Sequence, residues 1–145
     1  VDELLPLREQ FNRGRGAEAL RNAASPGERG QVFGAMLFAL VAPSVQKTYD
    51  AAERVAQVFD NVRTAYALAW YQQVHGHYPN TLAELAPVYL KQAPVDRFTG
   101  KSLIYKPTGT GYLLYSVGLN GKDDGGRTLT DQPPDDDLVV RMPLR

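Results

Sequence analysis

The chain contains no cysteine among its 145 residues, and this absence excludes disulfide bonds and thiolate metal sites. Cysteine-free proteins occur both inside and outside cells, so the compartment stays open on this ground. A net charge is also absent, because 16 basic residues balance 16 acidic residues. Proteins that bind nucleic acids usually carry a basic excess, and we therefore expect no nucleic-acid partner.

A long hydrophobic segment is absent as well. The apolar run at residues 32–42 is much shorter than the roughly 20 residues that a bilayer-spanning helix needs. This run predicts either a buried core helix or the remnant of a membrane-proximal helix. The chain begins with Val1 and shows no signal peptide. We therefore expect a segment of a longer protein, whose targeting and membrane attachment lie upstream.

Catalytic motifs are scarce. No H-E-x-x-H, G-x-S-x-G or P-loop sequence is present. His75 and His77 lie two positions apart and do not share a helix face, which disfavours a metal site built on them. Asp96, in "PVDRFTG", is either a carboxylate base or a turn residue that accepts backbone N–H groups. Together these observations favour a protein without enzymatic activity.

The strongest periodic signal extends over residues 44–75. Apolar side chains recur there every three or four positions, which predicts one long helix with a buried stripe. The predicted stripe consists of Val45, Tyr49, Ala52, Val55, Phe59, Val62, Tyr66, Ala69 and Gln73. Polar side chains such as Gln57 fall mainly on the opposite side, which we expect to face water. Core packing is also the expected role of the nearby aromatic residues Trp70 and Tyr71.

Proline and glycine divide the chain into three parts. Residues 1–30 are predicted as an extension of short helices, and Ser25 is placed as the N-cap of a helical segment that starts at Pro26. Residues 31–77 form the long helix, in which Pro43 predicts a kink because it cannot donate a hydrogen bond to the preceding turn. Residues 78–145 follow, and we expect all three parts to form a single domain.

The C-terminal part carries three short strand signals. "SLIYKP" and "YLLYSVG" flank a glycine-containing loop and predict a β-hairpin, and "DLVVRMP" predicts one more strand. A small helix at "NTLAELAPVYL" precedes them. A long helix followed by short strands is typical of the α+β class. We therefore predict that the helix packs its apolar stripe on one face of a small antiparallel sheet.

This order of elements resembles a known family. The segment "GHYPNTLAELAPVYLKQAPVDRFTGKSLIYKPTGTGYLLYSVGLNGKDDGG" is similar to the globular part of type II secretion major pseudopilins and of type IV pilin-like proteins. The shared features are Tyr78-Pro79, Leu82, Leu85, Pro94, Asp96, Gly100, Tyr115-Ser116, Gly118 and the acidic stretch from Asn120 to Gly126. The resemblance covers residues 44–140 and lacks the usual pilin N-terminus. It implies a pilin-like module of a bacterial cell-envelope protein, on the periplasmic side, with protein partners or self-association.

The resemblance also implies calcium, because pseudopilins bind Ca²⁺ in the acidic loop. The implied ligands are Asn120, Asp123, Asp124, Asp131 and Asp136, with Asp135 as an alternative to Asp136. The residue types agree, since Ca²⁺ takes six to eight oxygen ligands from carboxylates, amides and carbonyls. An EF-hand is disfavoured because Lys122 would occupy position 3 of its loop, where a ligand belongs. The other interpretation is a solvated turn whose charges are balanced by Lys122, Arg127 and Arg141.

The sequence is compatible with two functions. The first is a pseudopilin-like structural or protein-interaction module, in which calcium pins the acidic loop against the hairpin and fixes a surface for protein contacts. The second is an enzyme accessory or small-ligand-binding domain that uses Asp96, His75 or His77 in a cleft near the long helix.

Overall fold

The computed structural model describes residues 16–143, so the helix predicted at the very start of the chain lies outside the described residues. The chain divides into two compact units, one up to Tyr49 and the other from Asp50 onward. The elements are α1 (Gly16–Asn22), α2 (Pro26–His75), the 3₁₀ helix η1 (Leu82–Leu85), β1 (Ile104–Thr108), β2 (Gly111–Ser116) and β3 (Leu138–Met142). The predicted α+β class is confirmed, with one long helix and a three-stranded antiparallel sheet.

A capping box starts α2. Ser25 Oγ accepts the amide hydrogen of Glu28, with 3.2 Å between the two heavy atoms. The Glu28 carboxylate in turn accepts the amide hydrogens of Ala24 and Ser25, at 2.7 and 3.4 Å. These bonds satisfy backbone donors at the start of the helix that have no intrahelical partner. Pro26 is the first helical residue, as predicted, because its missing donor has no cost there.

Helix α2 is 50 residues long and contains Pro43. Proline removes the amide hydrogen that would bond to the carbonyl one turn earlier, yet the helical backbone continues on both sides of it. The helix is therefore not interrupted at Pro43, and the kink stays a prediction. Within residues 16–143, no helix combines the length and the apolar character that crossing a bilayer requires.

The buried face of α2 is not the predicted one. In the unit that starts at Asp50, Gln57 and Asn61 are almost completely buried, although their side of the helix was expected to face water. The predicted buried stripe lies in water instead, with Phe59 71 % and Tyr66 74 % exposed. The expected core role of the aromatic side chains holds only for Tyr71, since Trp70 is 58 % exposed.

Hydrogen bonds explain why polar side chains occupy the buried face. The Gln57 side chain accepts the backbone amide hydrogen of Arg97 at 2.7 Å and donates to Asn61 Oδ1 at 2.7 Å. Asn61 Nδ2 then donates to the carbonyl oxygen of Leu138 at 2.7 Å. Burying these amides costs little because their hydrogen bonds to water are replaced. They join α2 to β3 and to the turn around Arg97.

The apolar core lies toward the C-terminal end of α2. Its buried members are Ala67, Leu68, Tyr71, Leu82, Leu85, Leu103, Tyr112 and Leu114. Leu68 and Tyr71 are three positions apart and therefore share a helix face. Leu68, Leu85 and Leu114 have no exposed surface, and they bring together α2, η1 and β2. The helix thus packs against the sheet, but through the face opposite the predicted stripe.

The sheet has the order β1-β2-β3, and both pairs of strands are antiparallel. Ile104 lies opposite Tyr115 in the first pair, and Ser116 lies opposite Leu138 in the second. Strand β2 is the central strand and the most buried. The hairpin predicted from the two flanking runs is confirmed, and "DLVVRMP" supplies the third strand.

The small helix predicted after residue 79 is one 3₁₀ turn. Thr81 and Glu84 form the predicted capping box, in which the Thr81 amide donates to Glu84 Oε1 at 2.8 Å. The helix ends at Leu85 because the residue before a proline disfavours the helical region. Ala86 precedes Pro87 and is extended, with φ −99° and ψ 146°.

Candidate functional site

Asp96 holds the base of the acidic loop, which we define as residues 117–137, between β2 and β3. Its carboxylate is 2 % exposed. Oδ1 accepts the amide hydrogens of Phe98 and Thr99 at 2.8 and 3.2 Å, and Oδ2 accepts that of Val117 at 2.9 Å. Backbone donors therefore occupy both oxygens, in agreement with the turn interpretation of Asp96.

The two ends of the acidic loop meet at Gly118 and Asn120. Gly118 has φ +69°, and a Cβ there would overlap the carbonyl oxygen of Asp136. The Asn120 amide donates to Asp136 Oδ2 at 3.1 Å. The Asn120 side-chain nitrogen donates to Asp124 Oδ2 at 3.1 Å and to Asp135 Oδ1 at 3.3 Å. One asparagine thus contacts three carboxylates.

Those three carboxylates form a cluster, which we call the Asp cluster. One oxygen atom each from Asp124, Asp135 and Asp136 lies within 4.8 Å of the others. Carboxylates this close repel one another unless positive charge is present. Lys122 Nζ lies 2.6 Å from Asp124 Oδ1, and an Arg127 nitrogen lies 3.0 Å from Asp135 Oδ2. The counter-charge expected from these two cations is therefore present.

The carboxyl group of Asp124 has a lowered pKa. Hydrogen bonds from Lys122, and from Asn120 to a lesser extent, outweigh the effect of burial and lower the pKa of Asp124 to about 2. The carboxylate is consequently charged at neutral pH. Its side chain is 1 % exposed, whereas that of Lys122 is 72 % exposed. Ordering an exposed lysine in such a pair costs side-chain entropy, so the pair is weak. Another cation can therefore replace Lys122 beside Asp124.

Two of the predicted calcium ligands bond outside the Asp cluster. Asp123 Oδ1 accepts the Gly125 amide hydrogen at 2.9 Å and the Tyr115 hydroxyl hydrogen at 2.8 Å, and these bonds lower the pKa of Asp123. Asp131 Oδ2 accepts the Thr128 amide hydrogen at 2.7 Å. Of the predicted residues, Asn120, Asp124 and Asp136 converge, and Asp135 joins them in place of Asp123 and Asp131.

The acidic loop also contains buried oxygen atoms without partners. Among the described residues, Asp136 Oδ1 and Asp137 Oδ1 are buried and accept no hydrogen bond. Burial raises the pKa of Asp137, whose other oxygen accepts the Gly126 amide hydrogen at 2.8 Å. Asp136 belongs to the Asp cluster, and its nearest cation, Arg54, is 3.9 Å from the other oxygen. An unpartnered acceptor on a residue of a carboxylate cluster is compatible with a site for a cation.

A second feature is the row of exposed apolar residues on α2. We define the apolar stripe as Ala52, Val55, Phe59, Val62, Tyr66 and Ala69, all of which are exposed. Val55 is 56 % exposed and Val62 40 % exposed, so the row has no buried interruption. Val58 and Trp70 widen it, at 45 % and 58 % exposed. Large apolar residues exposed in this continuous way are unusual on an isolated soluble protein.

Grooves flank the C-terminal half of the apolar stripe. One has a volume of about 630 Å³ and is lined by Arg63, Tyr66, Ala67, Trp70, Tyr89, Leu90, Lys91 and Gln92. The other has a volume of about 280 Å³ and is lined by Val62, Ala65, Tyr66, Ala69, Tyr78, Tyr112, Val140, Arg141 and Met142. Tyr66 lines both grooves.

The two histidines lie among aromatic rings at the end of α2. His75 Nε2 is 3.0 Å from the Tyr89 hydroxyl oxygen, and its ring centre is 4.2 Å from that of Tyr71. His77 Nδ1 lies 2.9 Å from the Tyr78 carbonyl oxygen. The Asp cluster, which is the one metal-compatible group among the described residues, includes neither histidine.

Comparisons with known proteins found no match to this chain. No protein-family model, no curated protein and no solved structure matches the chain. The Asp cluster and the apolar stripe are therefore the features from which a function is inferred.

Proposed function

We propose that this chain is a non-enzymatic, pseudopilin-like structural module of a bacterial envelope or secretion-related protein, and that it works by binding other proteins. The apolar stripe carries this proposal. Its central residues Phe59 and Tyr66 are more than two-thirds exposed on a helix whose other side is already packed. Continuous apolar rows of this kind commonly mark protein-binding surfaces, because burying them removes apolar area from water.

The envelope location comes from the resemblance of residues 44–140 to pseudopilins. A long helix that packs on a small antiparallel sheet, with an acidic loop between the last two strands, is compatible with that resemblance. We propose a periplasmic position, with membrane attachment through sequence outside the described residues. A structural role also suits Asp96, whose carboxylate is fully used by backbone donors.

Calcium is proposed to act as a latch on the acidic loop. Asp124, Asp135 and Asp136 offer carboxylate oxygens, and the orphaned Asp136 Oδ1 adds an acceptor that no protein group satisfies. These are hard oxygen ligands, which suit Ca²⁺. The ion would compete with Lys122 for Asp124. Because Asp124 follows β2 and Asp136 precedes β3, a shared cation would tie the two ends of the loop together.

Calcium in excess of EDTA is expected to raise the melting temperature of the purified protein. With calcium about 100-fold above its dissociation constant, the expected rise is roughly 5–10 °C, because a ligand of the folded state stabilises it by mass action. Asp124→Asn is expected to abolish the rise, whereas Asp131→Asn, in the same loop but outside the Asp cluster, is expected to keep it. Thermal melts and titration calorimetry measure both effects. An equal rise in the Asp124→Asn protein would refute the site.

In the host bacterium, Phe59→Glu is expected to abolish the biological role of the chain while leaving its fold intact. Phe59 is 71 % exposed, so the folded monomer tolerates the charge, but a partner that buries the apolar stripe does not. The measurement is the amount of protein exported to the medium by strains that carry the variant chromosomally. Val88→Glu is the matched control, because Val88 is 74 % exposed and lies outside the stripe. Normal export by a strain with stable Phe59→Glu protein would contradict the proposed function.

A further inference from the structure

We propose that a second copy of this chain binds the apolar stripe, so that two α2 helices pack antiparallel around a two-fold axis. This inference rests on the proposed function, since it names the partner for the surface that carries it. Four properties of the stripe support the assignment: its spacing, its area, the order of large and small residues along it, and the groove beside it.

The spacing is that of helices that wrap around each other. The stripe residues Ala52, Val55, Phe59, Val62, Tyr66 and Ala69 are separated alternately by three and four positions. Such a repeat averages 3.5 residues and keeps one seam facing a partner helix. Gln57, Thr64 and Tyr71, each seven positions apart, lie on the opposite side and are buried within the unit. Helix α2 therefore has one face packed in its own chain and one seam that remains open.

The exposed apolar area comes close to what a standard protein interface buries. Phe59, Tyr66 and Trp70 are 71 %, 74 % and 58 % exposed. Aromatic side chains bury about 150–250 Å² each when fully covered, so these three alone supply roughly 400 Å². Val55, Val58 and Val62 extend the patch. The total approaches the ~800 Å² per partner of a standard protein interface.

The order of large and small residues favours the antiparallel arrangement. With the axis between Phe59 and Val62, each Phe59 faces a Val62 of the second copy. Val55 then faces Tyr66, and Ala52 faces Ala69. A parallel pair would instead stack Phe59 on Phe59 and Tyr66 on Tyr66, with layers of two valines beside them, whereas the end layers pair alanine with alanine in both arrangements. Protein interfaces pack as densely as interiors, so evenly filled layers are preferred.

The groove of about 280 Å³ fits the same arrangement. It is lined by Val62, Tyr66 and Ala69, and the antiparallel axis brings Phe59, Val55 and Ala52 of the second copy opposite these three residues. The half of each stripe from Ala52 to Phe59 thus meets the grooved half of the other copy, from Val62 to Ala69. A surface that carries both the knob and the hole is self-complementary, which is the requirement for a closed two-fold dimer.

Introduced cysteines test the orientation cleanly, because the natural chain has none. Ala52 and Ala69 are small and exposed, so Ala52→Cys and Ala69→Cys are expected to fold normally. On oxidation, a mixture of the two variants is expected to form disulfide-linked pairs, because facing Cα atoms in such a seam come within the reach of a disulfide. Each variant alone is expected to stay unlinked, as is a mixture of Ala52→Cys with Lys101→Cys, whose cysteine lies outside the stripe.

Linkage of Ala52→Cys with itself would show a parallel pair and overturn the antiparallel arrangement. The mass in solution tests the pairing without cross-linking. Sedimentation is expected to show a dimer for the natural protein and for Val88→Glu, and a dissociation constant weaker by roughly 30-fold or more for Phe59→Glu. A monomeric natural protein would overturn the proposal, including the case in which residues 1–15 of the same chain cover the stripe. Export in the host is measured separately. If the natural protein is a dimer that Phe59→Glu weakens, but the Phe59→Glu strain exports normally, the proposed function is refuted and the dimer is not.

Discussion

Asp96→Ala is expected to lower the free energy of unfolding by roughly 3–6 kcal/mol, since a hydrogen bond to a charged group contributes about 1.5–3 kcal/mol. The carboxylate serves the amides of Phe98, Thr99 and Val117 at once, and alanine serves none. No water reaches the site easily, because Asp96 is only 2 % exposed. Urea unfolding, followed by circular dichroism, measures the loss.

Asp96→Asn separates the hydrogen bonds from the size of the side chain. Its amide oxygen can still accept from Phe98 and Thr99, but its amino group would face the Val117 N–H, donor against donor. An intermediate loss of stability is therefore expected. A loss below about 1 kcal/mol for Asp96→Ala, the size of an ordinary surface substitution, would show that this carboxylate does not anchor the acidic loop.

Gly111→Ala is expected to cost about 3 kcal/mol or more and to disturb the pairing of β2 with β3. A Cβ at Gly111 would overlap the Met142 carbonyl oxygen, and it would lie 2.5 Å from the Met142 carbonyl carbon and 2.9 Å from Pro143 Cδ. Two of these atoms are backbone atoms of the adjacent strand, so a side-chain rotation cannot relieve the overlap. Hydrogen exchange at the β3 amides is expected to become faster.

Gly109→Ala is the matched control in the same hairpin. No atom lies within 4 Å of a Cβ placed at Gly109, so the change is expected to alter stability by no more than about 0.5 kcal/mol. Equal effects of the two substitutions would mean that β3 does not approach Gly111 as closely as the structure shows.

Local signals in the sequence account for most of the correctly predicted elements. Ser25 before Pro26 predicts the start of α2, and Thr81 with Glu84 predicts that of η1, because helix caps need only a few neighbouring residues. The hairpin follows from two β-prone runs around the loop before Gly111. Each of these features depends on contacts between residues that are close in the chain.

The candidate site was predictable in part. The six aspartates of the acidic loop identify the segment, but they do not say which of them converge. Asp123 is drawn to the Tyr115 hydroxyl, and Asp131 to the Thr128 amide, whereas Asp135 is brought to Asp124 by Asn120. Which aspartates converge depends on how the loop folds back on the sheet. The spacing of the residues in the sequence does not reveal this fold.

The sequence by itself determined that α2 is amphipathic, that three short strands follow it, and that negative charge collects between the last two. Only the tertiary structure decided which face of α2 is buried. The periodicity of apolar residues predicted the stripe with Phe59 and Tyr66, but the sheet packs on the side of Gln57, Asn61 and Leu68. The physical reason is that a polar face can be buried when its hydrogen bonds find partners, and Arg97 and Leu138 supply those partners from 40 and 77 positions away.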